Sequence, residues 1–399
     1  MNATIRSVLD LIVLIPLLLL LPYFEVAGQK DLSDEALEAL LDDEEALETW
    51  LDEEFSGWDF SSNAKVGWGY SDNVLLATVN PQSGDYLHTE LELFLLKFPD
   101  EKGEFFAFLN GRDLRYFDVD GADKDQILLI DAEWKRYLTD SLTGALEGQY
   151  IFLDQVLDLS LSDRDVSRER IQYNGYGIGG DLLFSPLESN NKFSLETMAL
   201  HEDFQEVLGE NFLGRIELSW ERPMWQDAKF KGELRSEIRD YDSRSARDAF
   251  GRPVDGPLLE TKRNSATLDV TQGWGKEKFL SSSFQVKYSE NRDNGSGYYD
   301  YDQWALEFSL DGDWEGIESR FSIGVDESKF LIQRADRFSP EPREKIDYIA
   351  EFFVRKELWK RISVYLLGNY EESTSNVVED EYNVFSASLG FQIDLWGDS

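Results

Sequence analysis

From residue 228 to 239 every second residue is charged: Lys229, Lys231, Glu233, Arg235, Glu237 and Arg239 alternate with Ala228, Phe230, Gly232, Leu234, Ser236 and Ile238. Side chains of a β-strand leave on alternate faces, so this stretch is a ribbon with one wet side and one largely apolar side. The same pattern closes the chain. Phe385, Ala387, Leu389, Phe391, Ile393 and Leu395 share one face there, and Ser386, Ser388, Gly390, Gln392 and Asp394 share the other. A soluble sandwich seldom fills one strand face so completely with charge, whereas a barrel with lipid outside and water inside requires it.

Composition narrows the choice. The 399 residues contain no Gly/Ser/Pro linker after about residue 60, and 14% are aromatic, which sets the chain apart from a disordered acidic protein. A formal net charge of -40 excludes nucleic acid as a partner, since a phosphate backbone rewards clustered Lys and Arg. With no cysteine there is no disulfide framework and no lipidated N-terminal Cys, and a metal site would depend on carboxylates or on His88 and His201.

Residues 1–28 carry Arg6, an apolar run from Leu11 to Leu21, and small residues at Ala27 and Gly28, the layout of a cleavable secretory signal. The apolar run falls short of the ~20 residues a spanning helix needs. Residues 29–56 follow as an acidic periplasmic leader. Within it, residues 31–55 have a helical pattern, with Leu37, Leu40, Leu41, Leu47 and Leu51 near one face, no Lys or Arg, and Ser33 placed to cap the start. It reads either as a segment that plugs the pore or touches a basic partner, or as a solvated acidic stretch.

From residue 57 onward the period is two. Sixteen strands are expected near 61–70, 87–98, 104–116, 126–138, 144–153, 171–184, 192–200, 212–220, 228–239, 264–272, 279–288, 301–310, 317–325, 345–354, 362–370 and 383–395. Short connections such as 139–143, 221–227, 311–316 and 355–361 alternate with longer ones such as 71–86, 154–170, 240–263 and 326–344. That alternation suits a barrel with short turns on one rim and long loops on the other. Pro81, Pro99, Pro186, Pro223, Pro253, Pro257, Pro340 and Pro342 all fall in the connections, where no ladder hydrogen bond is lost. Trp225, Trp274, Trp314 and Trp359 fall in short turns, as expected of an aromatic girdle at a membrane boundary. The fold class is therefore all-β: a transmembrane antiparallel up-and-down barrel over residues 57–399.

The run Ser388-Leu389-Gly390-Phe391-Gln392-Ile393-Asp394-Leu395 resembles the C-terminal assembly signal of Gram-negative outer-membrane barrels of the porin-like type, a likeness that extends over residues 57–399. One departure is that Trp396 is followed by Gly397, Asp398 and Ser399, whereas many porins end on the aromatic residue. The resemblance implies location in the cell outer membrane, engagement of the C-terminal strand by the barrel-assembly machinery, outer-membrane lipids as partners, and a homotrimer as one form of assembly. It also implies that the third long connection folds into the pore as an acidic constriction. Here that connection supplies Asp154, Asp158, Asp163, Asp165 and Glu169.

The wet faces are the other candidates for function. Arg215 and Glu217, with Lys229, Lys231, Glu233, Arg235, Glu237 and Arg239, are expected to line the pore and select ions by sign, or to brace the lumen through mutual salt bridges. Catalysis is not expected, because His201 has only Glu202 and Asp203 beside it in a loop, and His88 reads as an inward polar residue. The acidic stretch 118–125 lacks the spacing and terminal Glu of an EF-hand and reads as an outer loop, not a metal site. Tyr176-Gly177-Ile178-Gly179-Gly180 has no following helix and is no dinucleotide motif; its glycines suit close strand approach. No cofactor is needed. The leading function is a passive channel for small hydrophilic solutes with a preference for cations. Two alternatives stay open: a closed or plugged barrel with a structural, adhesive or assembly role, and a selective transporter for sugars or carboxylates.

Overall fold

A computed structural model describes residues 57–97, 103–158, 168–187, 189–204, 209–225, 227–275, 279–335 and 340–396. The expected signal sequence (1–28) and acidic helical leader (29–56) lie outside the described residues. The strands are β1 (Trp58–Ser71), β2 (Gly84–Lys97), β3 (Gly103–Tyr116), β4 (Lys124–Thr139), β5 (Leu142–Asp158), β6 (Arg168–Phe184), β7 (Lys192–Phe204) and β8 (Asn211–Pro223), followed by β9 (Ala228–Arg247), β10 (Pro253–Trp274), β11 (Leu280–Asp293), β12 (Tyr301–Trp314), β13 (Ile317–Arg334), β14 (Pro342–Trp359), β15 (Ile362–Ser375) and β16 (Tyr382–Trp396). Each pairs antiparallel with its sequence neighbours, and β1 pairs with β16, so the sheet closes into a barrel. Closure leaves no strand edge with orphaned N–H and C=O groups, the condition a sheet must meet to sit in hydrocarbon.

Register carries one face around the whole ring. Trp68 lies opposite Leu87 and Leu389. Leu109 lies opposite Ile130, Tyr150 opposite Tyr176, Leu218 opposite Leu234, and Leu268 opposite Val286. Leu306 then meets Val325, and Leu366 meets Leu389, which returns the row to β1. Because the side-chain period is two, a slip of one residue anywhere would turn that strand's apolar row inward. Many of these outward apolar residues are more than half exposed, among them Leu146 at 59%, Ile178 at 69%, Leu234 at 60% and Leu389 at 58%. An apolar belt continuous around a closed sheet has no counterpart on a water-soluble monomer, and the belt places the barrel in a lipid bilayer.

All sixteen expected strands are present, and most are longer than the alternation alone indicates. The long connections shrink accordingly: the expected loop 240–263 is mostly the paired ends of β9 and β10, leaving 248–252, and 326–344 is mostly β13 and β14, leaving 335–341. The strand β10 has 22 residues, against the roughly 9–11 that cross a bilayer, so its far end stands beyond the lipid and loses the greasy/wet alternation that reveals a strand. Proline placement needs the same correction. Pro223 ends β8, Pro253 and Pro342 begin β10 and β14, and Pro257 lies inside β10, where the register shifts between Pro253 and Leu258. A bulge leaves a residue without its ladder bond, and Pro257 costs no pairing there.

His201 is not a loop residue but an exposed member of β7, opposite Tyr176. The run 176–180 lies within β6, where a side chain on Gly179 would come within 2.7 Å of the Thr197 carbonyl on β7, so close strand approach accounts for it. Trp274, Trp314 and Trp359 are the last residues of β10, β12 and β14, with Trp225 in the β8–β9 turn, and all four are exposed at the short-turn rim.

At the opposite, long-connection end the inward side chains are large and buried. Tyr86, Tyr173, Tyr241, Tyr301, Phe330 and Tyr382 form a discontinuous collar, with Tyr299 packed on Tyr241 and Leu259. Tyr301 and Phe330 have ring centroids 5.4 Å apart, and Arg343 lies 4.9 Å over Phe330 while donating to Asp380 at 2.5 Å. This is the nearest the molecule comes to a core.

Candidate pore lining

The eight residues of the charged rows on β8 and β9 all point inward, on the face opposite Leu218 and Leu234. They are bound to one another, to Glu196 and Glu202 on β7 and to Glu221 on β8. Arg215 reaches Glu196 at 2.7 Å, Arg235 reaches Glu217 at 2.8 Å and Glu233 at 3.2 Å, and Lys231 reaches Glu233 at 3.1 Å. Arg239 lies 3.1 Å from Glu202, Glu237 lies 3.9 Å from Arg235, and Lys229 meets Glu221 at 4.0 Å. The carboxylates Glu202 and Glu217 are buried while their cationic partners stay partly in water, side chains of Arg235 and Arg239 being 29% and 37% exposed; pairs that water still reaches on one side contribute about 0–1 kcal/mol each to stability, so their larger effect is on the electric field of the lumen. Glu196, Glu202 and Glu221 belong to the same network, although nothing in the sequence pattern sets them apart from other strand carboxylates. Only the register shows which charges on neighbouring strands meet.

The expected constriction residues do not behave as one loop. Asp154 is a strand residue of β5, opposite Gln126 and Gln172, on the outward face that also carries Leu146 and Tyr150. There it accepts from Lys124 at 2.8 Å and Arg170 at 2.9 Å. Its position outside the barrel removes it from any constriction. The physical reason is that β5 runs on to Asp158 with unbroken pairing, so parity fixes the direction of Asp154. Asp158 and Glu169 lie in the backbones of β5 and β6, and Asp163 and Asp165 fall outside the described residues.

Two walls of inward carboxylates flank the β8–β9 network. On β4, β5 and β6 stand Asp131, Glu147 and Asp181, and on β12, β13 and β14 stand Glu307, Asp326 and Glu351; none has an ion pair among the described residues. Inward cations without an ion pair are fewer: Arg112 on β3, Arg263 on β10, whose guanidinium donates to Gln303 at 2.6 Å, and Lys287 on β11. Simple parity would have found each of these residues, since Asp131 alternates with Ile130 and Ala132. Which of them go unpaired is a property of register.

The seam where β1 meets β16 holds a second polar group. His88, 2% exposed, accepts or donates at Nδ1 to the Tyr365 hydroxyl at 2.9 Å, and its Nε2 stands 3.3 Å from Glu90. Lys65 binds Glu90 at 3.0 Å and Glu92 at 3.3 Å. Ser388 lies 3.5 Å from His88 Nδ1, which brings Ser, His and Glu into one cluster, but Ser388 is also only 2% exposed and the Tyr365 hydroxyl holds the closer position. A nucleophile so enclosed has no room for a substrate. Among the described residues no group of His, Asp or Glu has metal-binding geometry, the stretch 118–125 included.

No protein-family model matches the chain, and no curated protein matches it in sequence. Among solved structures, OpdQ of Pseudomonas aeruginosa superposes with a TM-score of 0.46 at 11% identity, over 85% of this chain and 99% of that one. OccAB1 of Acinetobacter baumannii gives 0.45 at 10%, over 85% and 97%. A loop L8 deletion mutant of OmpT, an outer membrane protein of Vibrio cholerae, gives 0.42 at 9%, over 85% and 100%. The barrel architecture of the present chain stands on its own strand pairing.

Proposed function

We propose that the chain is an outer-membrane channel for passive diffusion of small hydrophilic solutes, with a preference for cations. Its architecture supports this reading: sixteen strands suffice to enclose an aqueous lumen, where about eight would be filled by side chains. The observation that carries the charge preference is the imbalance of uncompensated inward groups, with Asp131, Glu147, Asp181, Glu307, Asp326 and Glu351 set against Arg112, Arg263 and Lys287. Charges lining a low-dielectric wall raise the local concentration of counter-ions. On this reading the barrel-assembly machinery engages the C-terminal strand, the exterior belt is available for contact in a homotrimer, and no cofactor takes part.

The test is conductance of the purified, folded protein in planar bilayers, with a salt gradient to read selectivity. A stable open state with a reversal potential of cationic sign is expected, and no open state under any condition overturns the reading. Replacing Arg263 and Lys287 together by Gln removes two of the unpaired lumenal cations and is expected to raise the cation-to-anion permeability ratio by about twofold. An unchanged ratio means that these side chains lie off the conduction path.

The buried aromatic collar at the long-connection end favours a second reading, a closed barrel with a structural or adhesive role. Conductance with and without residues 29–56 separates the readings. Conductance that appears only in the truncated protein identifies the leader as a plug. Silence in both favours the closed barrel.

A further inference from the structure

The outward charges differ between the two rims in how they are paired. At the long-connection end the outward cations are tied to carboxylates of the same face: Arg115 to Asp113 at 2.6 Å, Lys124 and Arg170 to Asp154 at 2.8 Å and 2.9 Å, Arg292 to Asp302 at 2.6 Å and Lys329 to Glu327 at 3.0 Å. Lys262 is the exception there. At the short-turn end Lys97 on β2 has a partner, but the outward rows of the other strands carry Arg136 on β4, Arg222 on β8 and Lys356 on β14, all exposed and without an ion pair among the described residues. No Asp or Glu occupies the described outward strand positions at that level. Asp140, Asp227 and Glu315 of that end sit in the turns beyond, and Glu104, Glu221 and Glu357 point inward.

Each of the three cations has an indole close by along its strand: Trp134 two residues before Arg136, Trp220 two before Arg222, and Trp359 three after Lys356. Those rings are exposed, and indoles of this kind settle at the level of lipid headgroups. The cations therefore stand at headgroup depth, outside the barrel, with no carboxylate of their own face to neutralise them. A guanidinium or ammonium in that zone takes a phosphate oxygen as its counter-ion. We propose that the short-turn rim is a docking surface for anionic glycerophospholipid, whose phosphates are held by Arg136, Arg222 and Lys356 while the neighbouring indoles cover the glycerol region. The proposal rests on the bilayer placement of the exterior belt and is independent of whether the lumen conducts.

Tryptophan fluorescence of the full chain reconstituted in vesicles tests it, with brominated phosphatidylglycerol or brominated phosphatidylcholine as the quencher. Stronger quenching by the anionic lipid is expected, corresponding to a relative association constant of about fivefold per occupied site, lost in R136Q/R222Q/K356Q and kept in K262Q. Should the triple variant fail to fold, the three single variants are each expected to lose part of the preference. Equal quenching by the two lipids in the unaltered protein, or a preference unchanged by the substitutions, overturns the proposal. Absence of quenching by either lipid would instead defeat the bilayer placement itself.

Discussion

Gly390→Ala is expected to prevent the barrel from closing, so that the variant is recovered unfolded. The residue lies on β16 opposite Gly67 of β1, at the seam that joins the two ends of the chain. A side-chain carbon added to Gly390 would overlap the Val66 carbonyl oxygen, stand 2.5 Å from the Gly67 Cα and 2.8 Å from the Tyr365 hydroxyl. Two of those three obstacles are main chain, and no rotamer change relieves them. The cost therefore exceeds the ~1–3 kcal/mol usual for overpacking among movable side chains and enters the range, above about 4 kcal/mol, where single substitutions are diagnostic. A companion substitution separates main chain from side chain as the cause. Gly390→Ala with Tyr365→Ala removes the ring but leaves Val66 and Gly67 in place, and it is expected to remain unfolded. Tyr365→Phe keeps the ring and loses the bond to His88, for about 1 kcal/mol. Heat-modifiable electrophoretic migration together with circular dichroism reads all three, and a Gly390→Ala protein that folds with unaltered migration would remove the steric account.

That seam also gives the C-terminal motif a physical meaning. From sequence, Gly390 is the small residue in a run resembling an assembly signal. In the fold it is the position where β1 must approach β16 with the Tyr365 ring lying across both strands. The hairpin of β15 and β16 sets Tyr365 opposite Gly390, but the sequence gives no sign that Gly67 joins them, because it arrives only through the closing pair.

Most of the architecture could be read from alternation. Strands such as β9, with charge at every inward position over 229–239, declare both their existence and their faces. What alternation cannot give is height and neighbour. Beyond the lipid both strand faces are wet, so the ends of β9, β10 and β13 lose their period, and the connections look longer than they are. Asp154 illustrates the cost of a positional analogy: loop order alone points it to a constriction, and parity through Tyr150 and Leu146 sets it on the outer wall. The unpaired status of Asp131 or Lys287 likewise follows from register, which depends on turn geometry and bulges at sites where the sequence carries no periodic mark.

Leu234→Arg is the sharpest test of which side faces lipid. Leu234 lies near the middle of the outward belt, opposite Leu218 and Ala266, and is 60% exposed. Its chain neighbours Glu233 and Arg235 face inward within the ion-pair network. An arginine at the midplane of a barrel's lipid face costs about 2–4 kcal/mol, because the guanidinium must be dragged toward the headgroups or draw water into hydrocarbon. Glu233→Gln, one residue away but on the wet side, loses its pairs to Lys231 and Arg235, whose side chains remain 44% and 29% exposed, and ion pairs that water reaches in this way are worth about 0–1 kcal/mol each. Equilibrium unfolding in urea from lipid vesicles measures both, and the expected ratio is several-fold in favour of the Leu234 change. If the outer surface faced water and the charged rows were buried, the order would reverse: arginine at an exposed site would be neutral, and loss of the Glu233 carboxylate from a dry network would cost most. One residue of separation along β9 thus decides between the two solvents, since neighbouring positions on that strand share backbone, depth and pairing and differ only in the side from which they are solvated.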